Sequence, residues 1–116
     1  MDDIGSTQSQ DIDYVKKEFE KALELHETGN FDEAASIYKK LLQINHLNSL
    51  VLNSYGTLSY QQGNVSNALQ LIKKSIILNP KVSIFYNRMG VVERTRGDID
   101  GACKMFERAL SIEEQY

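Results

Sequence analysis

The sequence predicts an all-α protein, an α-solenoid of three antiparallel helix pairs, and three observations carry that prediction. First, a word made of glycine, Asn or Asp, an apolar residue and then alanine recurs. It appears as GNFDEAASIY from Gly29, GNVSNALQLI from Gly63 and GDIDGACKMF from Gly97, each copy 34 residues after the last. Second, the same step carries Tyr38 to Ile72 to Phe106, Leu42 to Ile76 to Leu110, and Gly56 to Gly90. Third, the apolar residues between these anchors fall at helical rather than strand spacing, and proline occurs once, at Pro80. A fixed period of this length marks units that bury their apolar faces by stacking on one another.

The elements follow in order. Residues 1–10, MDDIGSTQSQ, are acidic and polar and read as a disordered tail ahead of a helical domain over 11–116. DIDYVKKEFEKALEL forms the first helix, with Ile12 and Val15 in an N-terminal cap. Gly29 stands just past its end, where the backbone turns left-handed and only glycine does so without a Cβ clash. Asn30 is placed to cap the second helix, and with Glu33 it approaches a capping box; Asn64 and Asp98 take the same cap position later. In the second pair Val51, Tyr55 and Leu58 share one stripe, and Ala68, Leu69, Ile72 and Ile76 share another. Ser49 and Ser83 read as caps of the third and fifth helices. Asn79-Pro80 ends the fourth helix, because proline disfavours helix at the residue before it. Gly56 and Gly90 are expected to face Ala68 and Ala102, letting the two helices of a hairpin approach closely. Tyr38, Ile72 and Phe106 then plug the gap against the next helix. In the last helix Met105, Leu110 and Ile112 are expected to be partly uncovered, an apolar face suited to self-association.

The residues that carry these positions resemble the tetratricopeptide repeat over about 15–116, with repeats near 15–48, 49–82 and 83–116. They are Ala22, Leu25, Gly29, Phe31, Ala34 and Tyr38; then Gly56, Gly63, Ala68, Ile72 and Pro80; then Gly90, Gly97, Ala102, Phe106 and Ala109. The chain departs from the family pattern in lacking tryptophan, in lacking the terminal proline of the first and third units, and in placing Ser75 where alanine is usual. The resemblance implies a curved array whose first helices line a concave groove holding a peptide or helix of a partner protein. The groove residues it implies are Phe19, Leu23, Asn53, Thr57, Tyr60, Asn87, Arg88, Val91 and Arg94.

Within that set the chemistry divides by residue type. Phe19, Leu23 and Tyr60 offer apolar contact. Asn53 and Asn87 lie 34 residues apart, so they project from equivalent sites, and an amide that both donates and accepts suits an extended peptide backbone. The alternative is that both cap or solvate a helix surface without a ligand. Arg88 and Arg94 suit an acidic side chain or a terminal carboxylate, with an ion pair to Glu93 or to a neighbour in the second repeat as the alternative. Some tetratricopeptide proteins clamp the acidic tails of heat-shock chaperones with a basic and amide set. Here Arg88 alone occupies a corresponding place, while Phe19, Leu23, Ser54 and Ile84 stand where the clamp needs lysines and asparagines.

Composition sets bounds. An apolar share of 41% with 25% charged residues is that of a globular chain, and no apolar run approaches the roughly 20 residues that span a bilayer. A net charge of −3 argues against a nucleic-acid binder. The N-terminus has neither the basic nor the apolar region of a secretory signal, so a cytoplasmic setting is expected. His26, His46 and Cys103 have no companions at catalytic or metal-ligand spacing, and no phosphate loop or nucleotide fingerprint occurs. The expectation is a non-catalytic protein-interaction module without cofactor or metal. Two alternatives stand beside it: the N-terminal substrate-recruiting arm of a larger enzyme, such as a protein glycosyltransferase, and a homo-oligomeric scaffold.

Overall fold

A computed structural model describes residues 4–115, with side chains from residue 10 onward. The described residues form six α-helices and no strand: α1 (Ile4–Glu27), α2 (Phe31–Ile44), α3 (Ser49–Gln61), α4 (Val65–Leu78), α5 (Ser83–Thr95) and α6 (Ile99–Gln115). They divide into two compact units, residues 1–46 and 47–116. The second and third helix pairs begin at Ser49 and Ser83, one 34-residue step apart, whereas the first begins earlier than that step places it. The stretch expected to be a disordered tail is instead helical from Ile4. No proline interrupts it, and once a helix exists each further residue adds a hydrogen bond without a new nucleation cost. Residues 1–3 of that expected tail lie outside the described residues.

The three glycine turns are one structure repeated. Gly29, Gly63 and Gly97 have φ of +85°, +84° and +90°. The residue after each donates its N–H to the carbonyl five residues back: Asn30 to Leu25 at 2.8 Å, Asn64 to Ser59 at 2.8 Å and Asp98 to Glu93 at 2.9 Å. These bonds satisfy carbonyls that the helix end leaves orphaned, and the left-handed glycine makes them reachable. The caps vary more. Asn64 Oδ1 accepts from the N–H of Asn67, and Asp98 Oδ1 accepts from that of Gly101. Asn30 makes no side-chain cap bond and so no capping box; its amide is turned back to donate to Thr28 Oγ1 at 2.9 Å. Ser49 is the first residue of α3 rather than its cap, a role taken by Asn48, whose Oδ1 accepts from Val51. Ser83 likewise lies inside α5, whose cap residue is Val82, with no side-chain oxygen to offer.

In the first unit α1 and α2 pack around Ala22, Ala34, Tyr38 and Leu41, all buried. The Phe19 and Tyr38 rings lie 6.3 Å apart, and His26 Nδ1 is 3.0 Å from the Tyr38 hydroxyl, so both residues help seat the tyrosine. In the second unit α4 and α5 share a core of Ala68, Ile72, Met89 and Val92, while Tyr86, Ala109 and Ile112 join α5 to α6.

The small residues work as expected, one turn further along. A Cβ on Gly56 would stand 2.7 Å from Ile72 Cγ1, and one on Gly90 would stand 2.5 Å from the Phe106 ring. The glycines therefore face the plugging side chains Ile72 and Phe106 more than the alanines, although the Ala68 carbonyl is also near Gly56. Of the α6 residues expected to be uncovered, Leu110 is 59% exposed and Met105 is half-buried. Ile112 is buried, because it turns inward against Tyr86 and Ala109.

Candidate functional site

The second unit contains a cavity of about 190 Å³ lined by Thr57, Tyr60 and Gln61 of α3, Ile72 of α4, and Arg88, Val91 and Val92 of α5. Helical spacing explains why these residues meet. Thr57, Tyr60 and Gln61 are i, i+3 and i+4 on α3, and Arg88, Val91 and Val92 are i, i+3 and i+4 on α5, so each helix presents one short stripe. Ile72, fully buried, closes the floor. Thr57 Oγ1 donates to the carbonyl of Asn53 at 3.0 Å, and the Tyr60 hydroxyl is 2.8 Å from Thr95 Oγ1. Tyr60 is thereby tied across from α3 to α5 at one end of the cavity.

The wall at Arg88 rests on a buried polar chain. Ser75 Oγ donates to the Ile72 carbonyl at 2.6 Å and accepts from Asn53 Nδ2 at 2.9 Å. Asn53 Oδ1 in turn accepts from Arg88 Nη1 at 2.6 Å. Asn53 and Ser75 are both 0% exposed, so each bond replaces one that water would otherwise supply. No side-chain nitrogen or oxygen in the described residues is buried without a partner.

Four of the residues assigned to a groove from the sequence therefore line one cavity: Thr57, Tyr60, Arg88 and Val91. Asn53 is not a groove surface residue. It is sealed beneath the cavity wall, its amide engaged by Ser75 and Arg88, and it does not present that amide to a peptide backbone. Asn87 and Arg94 are exposed and outside the cavity lining. Glu93 pairs with Arg96 at 3.0 Å. Phe19 and Leu23 belong to the first unit, where Phe19 is half-buried beside Tyr38 and Leu23 is exposed. Sequence reasoning missed Ser75 as part of the site, although its departure from alanine was the available clue. It also missed Gln61 and Val92, which flank the assigned residues on the same stripes.

His26 and His46 join no group able to hold a metal, and among the described residues no three His, Cys, Asp or Glu side chains do. Cys103 is exposed on α6. No described helix is long and apolar enough to cross a membrane.

Antiparallel helix pairs joined by left-handed glycine turns, with a cavity between the first helices of neighbouring pairs, define a helical-repeat protein. Family models described as tetratricopeptide repeat match residues 19–45 and 85–115. The chain belongs to the tetratricopeptide repeat family. Solved structures share the fold. An O-GlcNAc transferase variant of Thermobaculum terrenum matches with TM-score 0.87 and 24% identity, over 91% of this chain and 20% of that one. The first tetratricopeptide domain of Spaghetti (RPAP3), bound to the HSP90 peptide SRMEEVD, matches with TM-score 0.80 and 20% identity, over 88% of this chain and 81% of that one. MamA matches with TM-score 0.78 and 19% identity, over 87% of this chain and 59% of that one. The chain thus spans three-fifths of MamA and a fifth of the transferase. At these identities the likeness is one of fold. No curated protein matches the chain by sequence.

Proposed function

We propose that the chain is a non-catalytic, cytoplasmic protein-interaction module that takes a peptide or helix of a partner protein in the cavity of its second unit. The observation that carries this reading is the cavity itself: an apolar recess between α3 and α5, with an arginine and a tied tyrosine in its wall, on the helix pairs of a tetratricopeptide repeat protein. The Spaghetti domain of the same fold holds a seven-residue peptide, which supports a peptide-sized ligand. Recesses that are mostly apolar with a few placed polar groups are the usual form of such sites. Asn87 and Arg94 are proposed further contributors in the second unit, and Phe19 and Leu23 are proposed partner contacts of the first unit by itself.

Selection of random dodecapeptides displayed against the full chain tests this directly. Enriched peptides should perturb the backbone amide resonances of Thr57, Tyr60 and Val91, and Tyr60→Ala should weaken them by about tenfold, the scale of a lost aromatic anchor. Absence of any enriched peptide, or perturbations elsewhere with those three unmoved, would remove the cavity from the account.

A second reading, a substrate-recruiting arm of a larger enzyme, is favoured by the match to a fifth of the transferase. The mass of the native polypeptide on a denaturing gel decides it. Self-association is favoured by α6, whose exposed Ile99 and Leu110 correspond to Val65 and Ile76, packed against the α4–α5 core. Light scattering over a concentration series separates that scaffold from a monomeric adaptor.

A further inference from the structure

We infer that the chain associates with a second copy of itself through a knob and a recess. Ile77, flanked by Lys73 and Lys74 on the outer face of α4, seats in the groove between α1 and α2 of the other copy, where Asp32 and Glu33 receive the lysines. The contact uses neither the cavity of the second unit nor the exposed face of α6, so it does not depend on the proposed binding function.

The first unit holds a shallow recess of about 380 Å³ between α1 and α2. Half-buried Leu25 and Ile37 form its floor, and exposed Lys21, Asp32, Glu33 and Ser36 stand around its rim. The recess is a departure from the repeat. One 34-residue step on, Lys21, Leu25 and Glu33 become Tyr55, Ser59 and Asn67. There the Asn67 amide donates to the Ser59 hydroxyl at 3.1 Å, a bond from α4 to α3 across the same groove. Leu25 and Glu33 have no such bond to make, and Lys21 is exposed where Tyr55 is half-buried, so the groove of the first pair stays open. Neither Asp32 nor Glu33 is in a salt bridge among the described residues, and the rim carries two acids against one lysine.

The knob is as particular to its own pair. Ser66, Gln70, Lys73 and Ile77 are i, i+4, i+7 and i+11 on α4 and form its exposed stripe, with Lys74 beside it. Ile77 is 79% exposed, the most of any large apolar side chain described. Single apolar residues are ordinary on a protein surface. Here, however, the surrounding charge has one sign: residues 49–82 hold three lysines and no acid. Lys73 and Lys74 are in no salt bridge among the described residues. The matching outer positions are Gln43 in the first pair and Ser111 in the third, so α4 alone carries the knob.

Shape and charge then agree. An isoleucine side chain is small enough to enter the recess and reach Leu25 and Ile37, which removes apolar surface from water on both copies. The lysines beside it meet the acids of the rim, which favours this seat over a neutral or basic surface. Residues 1–48 hold ten acids against five lysines, so the whole first unit attracts the knob at longer range. Because knob and recess are different surfaces, each contact leaves one of each to be used again.

The test is sedimentation velocity on the full chain over a concentration series, with circular dichroism to confirm folding. Wild type should pass from monomer to a larger species, and high salt should weaken that association by about tenfold through screening. Ile77→Ser should weaken it by about tenfold, the scale of one aliphatic side chain left in water. Lys73→Glu with Lys74→Glu, and separately Asp32→Lys with Glu33→Lys, should each reduce it by more than about tenfold. An equal mixture of those two variants should restore association to within about threefold of wild type, since each reversed surface then meets its complement. If the reversal in the first turn of α2 unfolds the chain, Ile77→Ser and the lysine reversal carry the test, with Leu110→Ser as the control that stays within about twofold of wild type. A chain that remains monomeric throughout overturns the inference. So does association lost in Leu110→Ser but unchanged in Ile77→Ser, or a mixture of folded variants that fails to associate. A monomeric chain that sediments with phosphatidylserine vesicles, and ceases to do so in the lysine reversal, overturns it in favour of an anionic lipid surface. Each of these failures leaves the peptide-binding reading standing.

Discussion

Asn53 and Asn87 occupy the same register of the second and third helix pairs, yet one is wholly buried and the other exposed. The surrounding frame is shared: left-handed glycine turns at Gly63 and Gly97, and a helical glycine against a plugging side chain at Gly56 and Gly90. What differs is the residue opposite on the second helix. Asn53 meets Ser75, whereas the position 34 residues on is the buried Ala109. In the first unit the pair is Phe19 and the buried Leu41, both apolar. A buried amide costs free energy unless its bonds are made, so asparagine enters the core where a hydroxyl and a guanidinium receive it and stays outside where they are absent. The repeat supplies a frame, and single substitutions within it decide which unit carries a site.

Ile72→Ala should have the largest effect on this comparison, since it removes both the plug against Gly56 and the cavity floor. Urea unfolding should show a loss of about 2–5 kcal/mol, the range for truncating a buried isoleucine. Ala68→Leu comes next, at about 1–3 kcal/mol, because overpacking forces α3, α4 and α5 apart. A wild-type denaturant midpoint for that variant would contradict the helix-pair register.

The asparagines themselves should separate cleanly. Asn53→Ala should cost about 1–3 kcal/mol by orphaning its buried partners, whereas Asn87→Ala should stay within about 0.5 kcal/mol. Equal costs at the two positions would dissolve the contrast. The smallest net effect is expected from Asn53→Leu with Ser75→Ala, which gives the second pair an apolar fitting like that of the first. Removing both polar partners together should cost less than the sum of the single changes, and a double-mutant cycle measures the coupling. Strict additivity would mean that the two side chains do not act as a unit.

The helical frame was legible in the sequence because it is written locally. Glycine past a helix end and alanine five residues on need no knowledge of the rest of the chain to be read. Four cavity residues, Thr57, Tyr60, Arg88 and Val91, were legible because the family resemblance assigns that face of the first helices to a groove, while helical period by itself says only that such residues share a face. The fate of Asn53 was not, because it is fixed by Ser75, 22 residues away, and Arg88, 35 residues away. Period treats Asn53 and Asn87 as equals, whereas hydrogen bonding does not. The caps show the limit on a smaller scale. Asn48 and Ser49 are both good capping residues, and only backbone geometry tells which stands outside the helix.

The most direct measurement is hydrogen exchange of the two asparagine side-chain amides, followed by NMR in the full chain. The Nδ2 protons of Asn53 should be strongly protected, exchanging only through opening of the second unit, while those of Asn87 exchange at close to the free-peptide rate. Fast exchange at Asn53 would show that its amide faces water, and the buried anchor beneath Arg88 would not exist.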